Sequence, residues 1–227
     1  MAKGSLEGKA ALISGAGTGL GRATAVAFAR EGAKVALIGR RAGKLEETAA
    51  EVREAGGQAL VLPADVSDEE QVNRAVAAAL AMFGKIDVLV NNAAIFEPNA
   101  AADTTLDEWT RQLAVNFTGP WLLAKAVLPS MRTKHYGRIV NITSSMAWNG
   151  AGGYAAYGAS KAGLESLTRT LADEEQNNGI LVNAFNPGTV RSEMHATGKD
   201  PAQVAPHLVR LASLPAGGKT GEVVAYE

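Results

Sequence analysis

The sequence predicts an α/β fold, a doubly wound parallel sheet of about seven strands with helices on both faces. Three observations predict it. Short apolar runs alternate with longer amphipathic stretches from one end of the chain to the other. The runs are continuous and rich in Val, Ile, Leu and Ala, as in strands buried on both faces. A glycine-rich turn also joins the first run to the first amphipathic stretch, and strand–helix alternation of this kind places helices over a parallel sheet.

The elements follow in order. Strands are expected at 10–14, 34–39, 58–63, 86–91, 138–143, 180–186 and 222–226, and helices near 20–31, 43–55, 68–83, 106–133, 154–177 and 201–213. Two helix starts read as capping boxes: Ser67 with Glu70 and Thr105 with Glu108. In each, a hydroxyl and a carboxylate satisfy orphan amides. No repeat, low-complexity tract or linker interrupts the pattern, so 1–227 is expected to form a single domain.

Composition bounds the function. Of 227 residues, 47% are apolar and 20% charged, a balance suited to a buried core and unlike that of a disordered chain. A net charge of −1 argues against nucleic acid or an anionic membrane as partner. No cysteine is present, which removes disulfides, thiol nucleophiles and cysteine-based zinc sites. His135, His195 and His207 lack metal-ligand spacing, and no metal site is expected. The first nine residues lack a signal-peptide core and no apolar run reaches spanning length, so a cytoplasmic location is expected.

Chemistry enters at two places. The turn Gly15-x3-Gly19-x-Gly21 lies between a strand and a helix. Glycines let the backbone approach a pyrophosphate, and the helix start offers free amides and a positive dipole end. A tight turn that binds nothing is the weaker reading with a strand before and a helix after, and a methyl donor stays open on the turn alone. The second place is Tyr157-x3-Lys161, with Ser144 thirteen residues before the tyrosine. Four residues apart on a helix, Tyr157 and Lys161 share a face. A phenol titrates near pH 10, and an adjacent ammonium is expected to lower that value. The lysine could also hold the ribose of a nicotinamide, and Ser144 could donate to a substrate oxygen that gains negative charge. Tyr154 has Gly158, not a lysine, four residues on.

Cofactor choice is read at the end of the second strand. An acidic residue there serves the ribose 2′-hydroxyl of NAD. This chain has Gly39, Arg40 and Arg41, two guanidinium forks suited to a 2′-phosphate. NADP(H) is therefore the preferred cofactor, with NAD(H) as the alternative.

These motifs resemble those of a classical short-chain dehydrogenase/reductase over nearly the whole chain. The resemblance is carried by Ser-Gly-Ala-Gly-Thr-Gly-Leu-Gly at 14–21, Asn-Asn-Ala-Ala at 91–94 and Asn116 in Val-Asn-Phe-Thr-Gly. Ile-Val-Asn-Ile-Thr-Ser-Ser at 139–145, Tyr157-x3-Lys161 and Asn186-Pro-Gly188 complete it. It implies a Rossmann-type fold, an NAD(P) cofactor and a catalytic set of Asn116, Ser144, Tyr157 and Lys161. It further implies cofactor contacts from Gly15, Thr18, Gly19, Leu20, Gly21, Asp65, Val66, Asn92, Ala93, Pro187, Gly188, Val190 and Ser192, beside Arg40, Arg41, Tyr157 and Lys161. Asp65 is expected on the adenine, and Asn116 on a water leading to Lys161.

The chain departs from that family pattern at Ala94, where glycine is usual, in a short lid near 189–200, and in a terminus without Asp-Gly-Gly. The short lid suggests an open site with loose substrate selection. Met146 and Trp148 are expected near the substrate wall, and Met194 and His195 on the lid. Trp109, Trp121 and Phe117 are expected in the core or at a subunit contact. The reading is an enzyme that interconverts a small-molecule ketone or aldehyde with its alcohol, with 3-oxoacyl reduction as one candidate, in a homo-oligomer (dimer or tetramer). The alternative from another class is a non-catalytic NAD(P)-binding redox sensor.

Overall fold

The computed structural model describes residues 4–226. Seven strands, β1 (Ala10–Ser14), β2 (Lys34–Gly39), β3 (Gln58–Pro63), β4 (Val88–Asn91), β5 (Gly137–Ile142), β6 (Ile180–Asn186) and β7 (Val223–Ala225), form one sheet in the order β3-β2-β1-β4-β5-β6-β7. Every neighbouring pair is parallel. Residues of β1, β2, β4 and β5 are buried almost throughout, which explains why their sequences run apolar without alternation.

Seven α-helices cover the sheet: α1 (Gly19–Arg30), α2 (Ala42–Glu54), α3 (Glu69–Phe83), α4 (Leu106–Leu113), α5 (Gly119–Lys134), α6 (Ala155–Glu175) and α7 (Pro201–Ala212). One core lies under α3, α5 and α6, where Val72, Val76, Leu123, Val127 and Leu171 meet Leu12, Leu89 and Ile139. The other lies under α1, α2 and α7, where Phe28, Leu45, Val52, Val204 and Leu208 meet Ile13, Leu37 and Phe185.

Two sequence expectations change. The stretch 106–133 is not one regular helix, because residues Ala114–Thr118 form a five-residue π-helical segment between α4 and α5. Asn116 lies inside it. The expected Ser67–Glu70 box is also absent. Asp68 is the N-cap of α3 and accepts from the Gln71 amide, while the Ser67 hydroxyl donates to Asp65 Oδ1 at 2.6 Å. The Thr105–Glu108 box forms as expected.

The sheet order reverses between β1 and β4: the chain first winds outward through β2 and β3, then returns to build β4 to β7. In open parallel sheets a ligand crevice opens at the carboxyl ends of the strands at such a reversal. Most of the candidate residues lie on the loops and helix starts around that point, with Asn116 in the π-helical segment and Lys161 in the second turn of α6.

Candidate active site

A cavity of about 670 Å³ runs across these strand ends. One end is lined by Gly15, Gly17, Thr18, Gly19, Arg40, Arg41, Lys44 and Asp65. The other is lined by Ser144, Met146, Tyr154, Tyr157, Lys161, Phe96, Met194 and His195.

The glycine turn forms one wall. Gly15 and Gly19 have φ of 64° and 53°, where an L side chain is strained. A Cβ on Gly21 would stand 2.2 Å from the Gly15 carbonyl oxygen, so α1 can pack this tightly only on glycine. Thr18 is the N-cap of α1 and makes no side-chain cap. The first amides of α1 therefore keep no side-chain acceptor from Thr18, and a phosphate group fits that cradle. The turn is fixed from β4. Ser14 Oγ accepts from the Asn92 and Ala93 amides at 3.0 and 3.1 Å, and Asn92 Nδ2 donates to the Ser14 and Gly15 carbonyls. The side chain of Asn92 thus braces the cradle. Ser14 is a structural member of the site that motif reading passed over, although it opens the quoted glycine motif.

At the far end of the cradle, Arg41 Nη2 lies 2.6 Å from Glu193 Oε2. The pair holds the guanidinium above, and the carboxyl below, their usual titration ranges. It joins the second strand's end to the lid, 152 positions away, a contact with no local sequence signal. Arg40 has no ion pair among the described residues. Asp65 lines the cavity, and its Oδ1 accepts from the Ser67 amide and hydroxyl. Val66, Leu20 and Val190 are buried beneath the cavity wall. Pro187, Gly188 and Ser192 also line it. Ser192 Oγ accepts from the Met194 and His195 amides, which shapes the lid and leaves its O–H as a donor.

Tyr157, Lys161 and Ser144 converge as the spacing predicts, all on the cavity. Lys161 is 2% exposed, and its Nζ donates to the Ile142 carbonyl at 2.8 Å. Burial alone lowers its pKa to about 8. Its Nζ lies 5.6 Å from the Tyr157 ring centroid. The expected lowering of the tyrosine does not occur. Burial raises Tyr157, and its hydrogen bond with Ser144 opposes that rise only in part. Desolvation of the phenolate is the largest cause of the rise, and the neighbouring Tyr154 adds to it.

Asn116 is fully buried. Its Oδ1 accepts from the Ile95 amide at 2.8 Å and its Nδ2 donates to the Ile95 carbonyl at 2.9 Å. The π-helical widening aims this side chain at the loop after β4, a placement common where π turns occur at functional sites.

Three aromatic residues of the cavity were not singled out together by the sequence. Phe96 stacks on Tyr154 (centroids 4.5 Å apart) and meets Tyr157 edge-on at 5.2 Å; His195 lies 6.3 Å from Phe96. Trp148 does not line the cavity and is 66% exposed. Trp121 is also exposed rather than in the core.

A family model described as short chain dehydrogenase matches residues 9–202. The chain is 37% identical to a 3-oxoacyl-[acyl-carrier-protein] reductase of Synechocystis over 83% of this chain and 77% of that protein. It is likewise 37% identical to a short chain dehydrogenase of Pseudocercospora fijiensis, over 86% of this chain but 63% of that protein. Among solved structures, levodione reductase superposes with a TM-score of 0.93 at 32% identity, over 98% of this chain and 97% of that one. The chain belongs to the short-chain dehydrogenase/reductase family of NAD(P)-binding oxidoreductases.

Proposed function

We propose that this protein is an NADP(H)-preferring reductase that converts a small-molecule ketone or aldehyde to its alcohol, or runs the reverse. The observation that carries the reading is the convergence of Ser144, Tyr157 and buried Lys161 at one end of a cleft whose other end is a glycine cradle. A bound nicotinamide supplies or accepts the hydride. The chain's own residues manage the proton. Tyr157, with its pKa raised by burial, keeps its proton at neutral pH and can release it to a carbonyl oxygen as negative charge grows there. Ser144 lines the same cavity, and its hydroxyl is free to donate to the same oxygen while accepting from the Met146 amide. Lys161, whose pKa burial lowers to about 8 and whose Nζ stands 5.6 Å from the Tyr157 ring centroid, is assigned to restore the proton or to hold the ribose. Asn116 holds the loop at Ile95 beside the site.

The cradle is proposed to seat the pyrophosphate through the turn Gly15–Gly21, including Thr18 and Leu20, with Asp65 and Val66 at the adenine. Ala93, Asn92, Pro187, Gly188, Val190 and Ser192 follow the cofactor toward the reacting end. Arg40 and Arg41 favour a 2′-phosphate over a free hydroxyl, and the Synechocystis relative's name places it among acyl-carrier reductases. One domain over 1–227, a soluble cytoplasmic location and a homo-oligomer belong to the same proposal.

Fluorescence titration of the protein with NADPH and NADH separately tests it. Tighter NADPH binding, weakened by salt, supports the assignment. Tighter NADH binding would overturn the preference, and binding of neither would remove the enzymatic reading.

A further inference from the structure

The reacting end of the cleft is walled by rings from three separated segments. Phe96 comes from the loop after β4, Tyr154 from the N-cap of α6, and His195 from the lid. They surround Tyr157, with Phe96–Tyr157 centroids at 5.2 Å and Tyr154–Tyr157 at 6.2 Å.

This wall is held rigidly. Phe96 stands between two residues whose backbones are each gripped by a buried side-chain amide. Asn116 grips Ile95 through both its amide and its carbonyl. Gln112, 2% exposed, does the same for Glu97, accepting from its amide at 3.3 Å and donating to its carbonyl at 3.1 Å. The Asn99 amide donates to the Gly153 carbonyl, which ties the Phe96 loop to the turn before Tyr154. Buried amides paired in this way fix a loop that would otherwise be free to move.

Charge is distributed unevenly along the cleft. Among the described lining residues, Arg40, Arg41 and Lys44 lie at the cradle end, and Lys161 is the one lysine or arginine at the reacting end. The apolar and aromatic surface there comes from Ile95, Phe96, Met146, Tyr154 and Met194, with His195 on the lid, beside the hydroxyls of Ser144 and Ser145 and the Glu193 carboxylate that Arg41 pairs. An anionic substrate would leave water for this wall without gaining a fixed cation of its own. A flat neutral ring would pack on the Phe96–Tyr154 stack.

We infer that this site takes an uncharged ketone carrying a flat aryl or alicyclic ring, or its alcohol, and that Phe96, positioned by Asn116 and Gln112, selects the ring. The inference rests on the reading of the cleft as a carbonyl reductase site. The short lid then presents a chemically selective wall, not an indifferent opening.

Equilibrium binding tests it independently of turnover. The full-length protein is saturated with the oxidised nicotinamide cofactor it binds more tightly, so that an added ketone undergoes no net reaction. Calorimetry then compares 1-tetralone, 2-decanone (acyclic, with the same carbon number) and acetoacetyl-CoA. The expected order has 1-tetralone tightest. Phe96→Leu should weaken 1-tetralone by about 2- to 10-fold, the worth of an aromatic pair, and weaken 2-decanone by less. His195→Ala on the lid provides the same comparison should Phe96→Leu fail to fold. Tighter acetoacetyl-CoA binding, equal binding of the two ketones, or equal losses for both in the variant would overturn the inference. Ring-selective binding without turnover under the reduced cofactor would support the selection by Phe96 while refuting the reductase reading.

Discussion

Replacing Lys161 by methionine should make the protein more stable, and the gain should depend on pH. The side chain is 2% exposed and its pKa falls from 10.5 to about 8 because burial penalises the ammonium. The sign follows from proton counts. Between those two values the unfolded chain binds more protons at this site than the folded one, so stability rises with pH. Below pH 8 the full penalty applies. A difference of 2.5 between the two values corresponds to about 3 kcal/mol at 1.36 kcal/mol each. Between pH 7 and pH 9.5 the wild type should recover about 2 kcal/mol of it. Tyr157, raised by burial, stays protonated across this range and does not obscure the comparison. Urea unfolding of wild type and Lys161→Met at both pH values measures the effect. The variant's advantage should be larger at pH 7 and shrink by about 2 kcal/mol at pH 9.5. A difference that does not change with pH would refute the claim that the lysine is buried at a cost to folding. The variant should also lose turnover, as expected where activity requires a strained site.

Other outcomes follow from the same contacts. Glu193→Gln frees Arg41 from its 2.6 Å partner. NADPH affinity should rise by about 2- to 5-fold, with NADH unaffected; an equal change in both would contradict a 2′-phosphate role for Arg41. Ser14→Ala removes the acceptor of the half-buried Asn92 and Ala93 amides and should cost about 1 kcal/mol in urea unfolding, with weaker cofactor binding. Unchanged binding would show that the cradle does not depend on this brace. Gly21→Ala places a Cβ 2.2 Å from the Gly15 carbonyl oxygen and should abolish cofactor binding while far-ultraviolet circular dichroism remains near wild type.

The sheet and the cradle were legible in the sequence because both have local signatures. Buried parallel strands read as continuous apolar runs, and Gly15 and Gly21 are demanded by φ and close approach at their own positions. Tyr157 and Lys161 were legible through their four-residue spacing. What escaped has no local sign. The π-helical widening at Asn116 leaves no periodic trace within five residues. Ser67 and Asp68 are both good cap residues, and only the pull of Asp65 on the Ser67 hydroxyl decides between them. The wall of Phe96, Tyr154 and His195 is assembled from three loops, and Arg41 meets Glu193 only after folding. The rise in the Tyr157 pKa is likewise a property of the packed site, since it comes first from burial of the phenol.

The central claim is that Tyr157 carries the proton in a carbonyl–alcohol interconversion. Steady-state oxidation of NADPH with a ketone panel, wild type against Tyr157→Phe, tests it most directly when cofactor affinity is measured on the same samples. The account predicts loss of turnover by at least about 100-fold, the usual contribution of a positioned acid or base, with NADPH binding nearly unchanged. Turnover retained in Tyr157→Phe would contradict it.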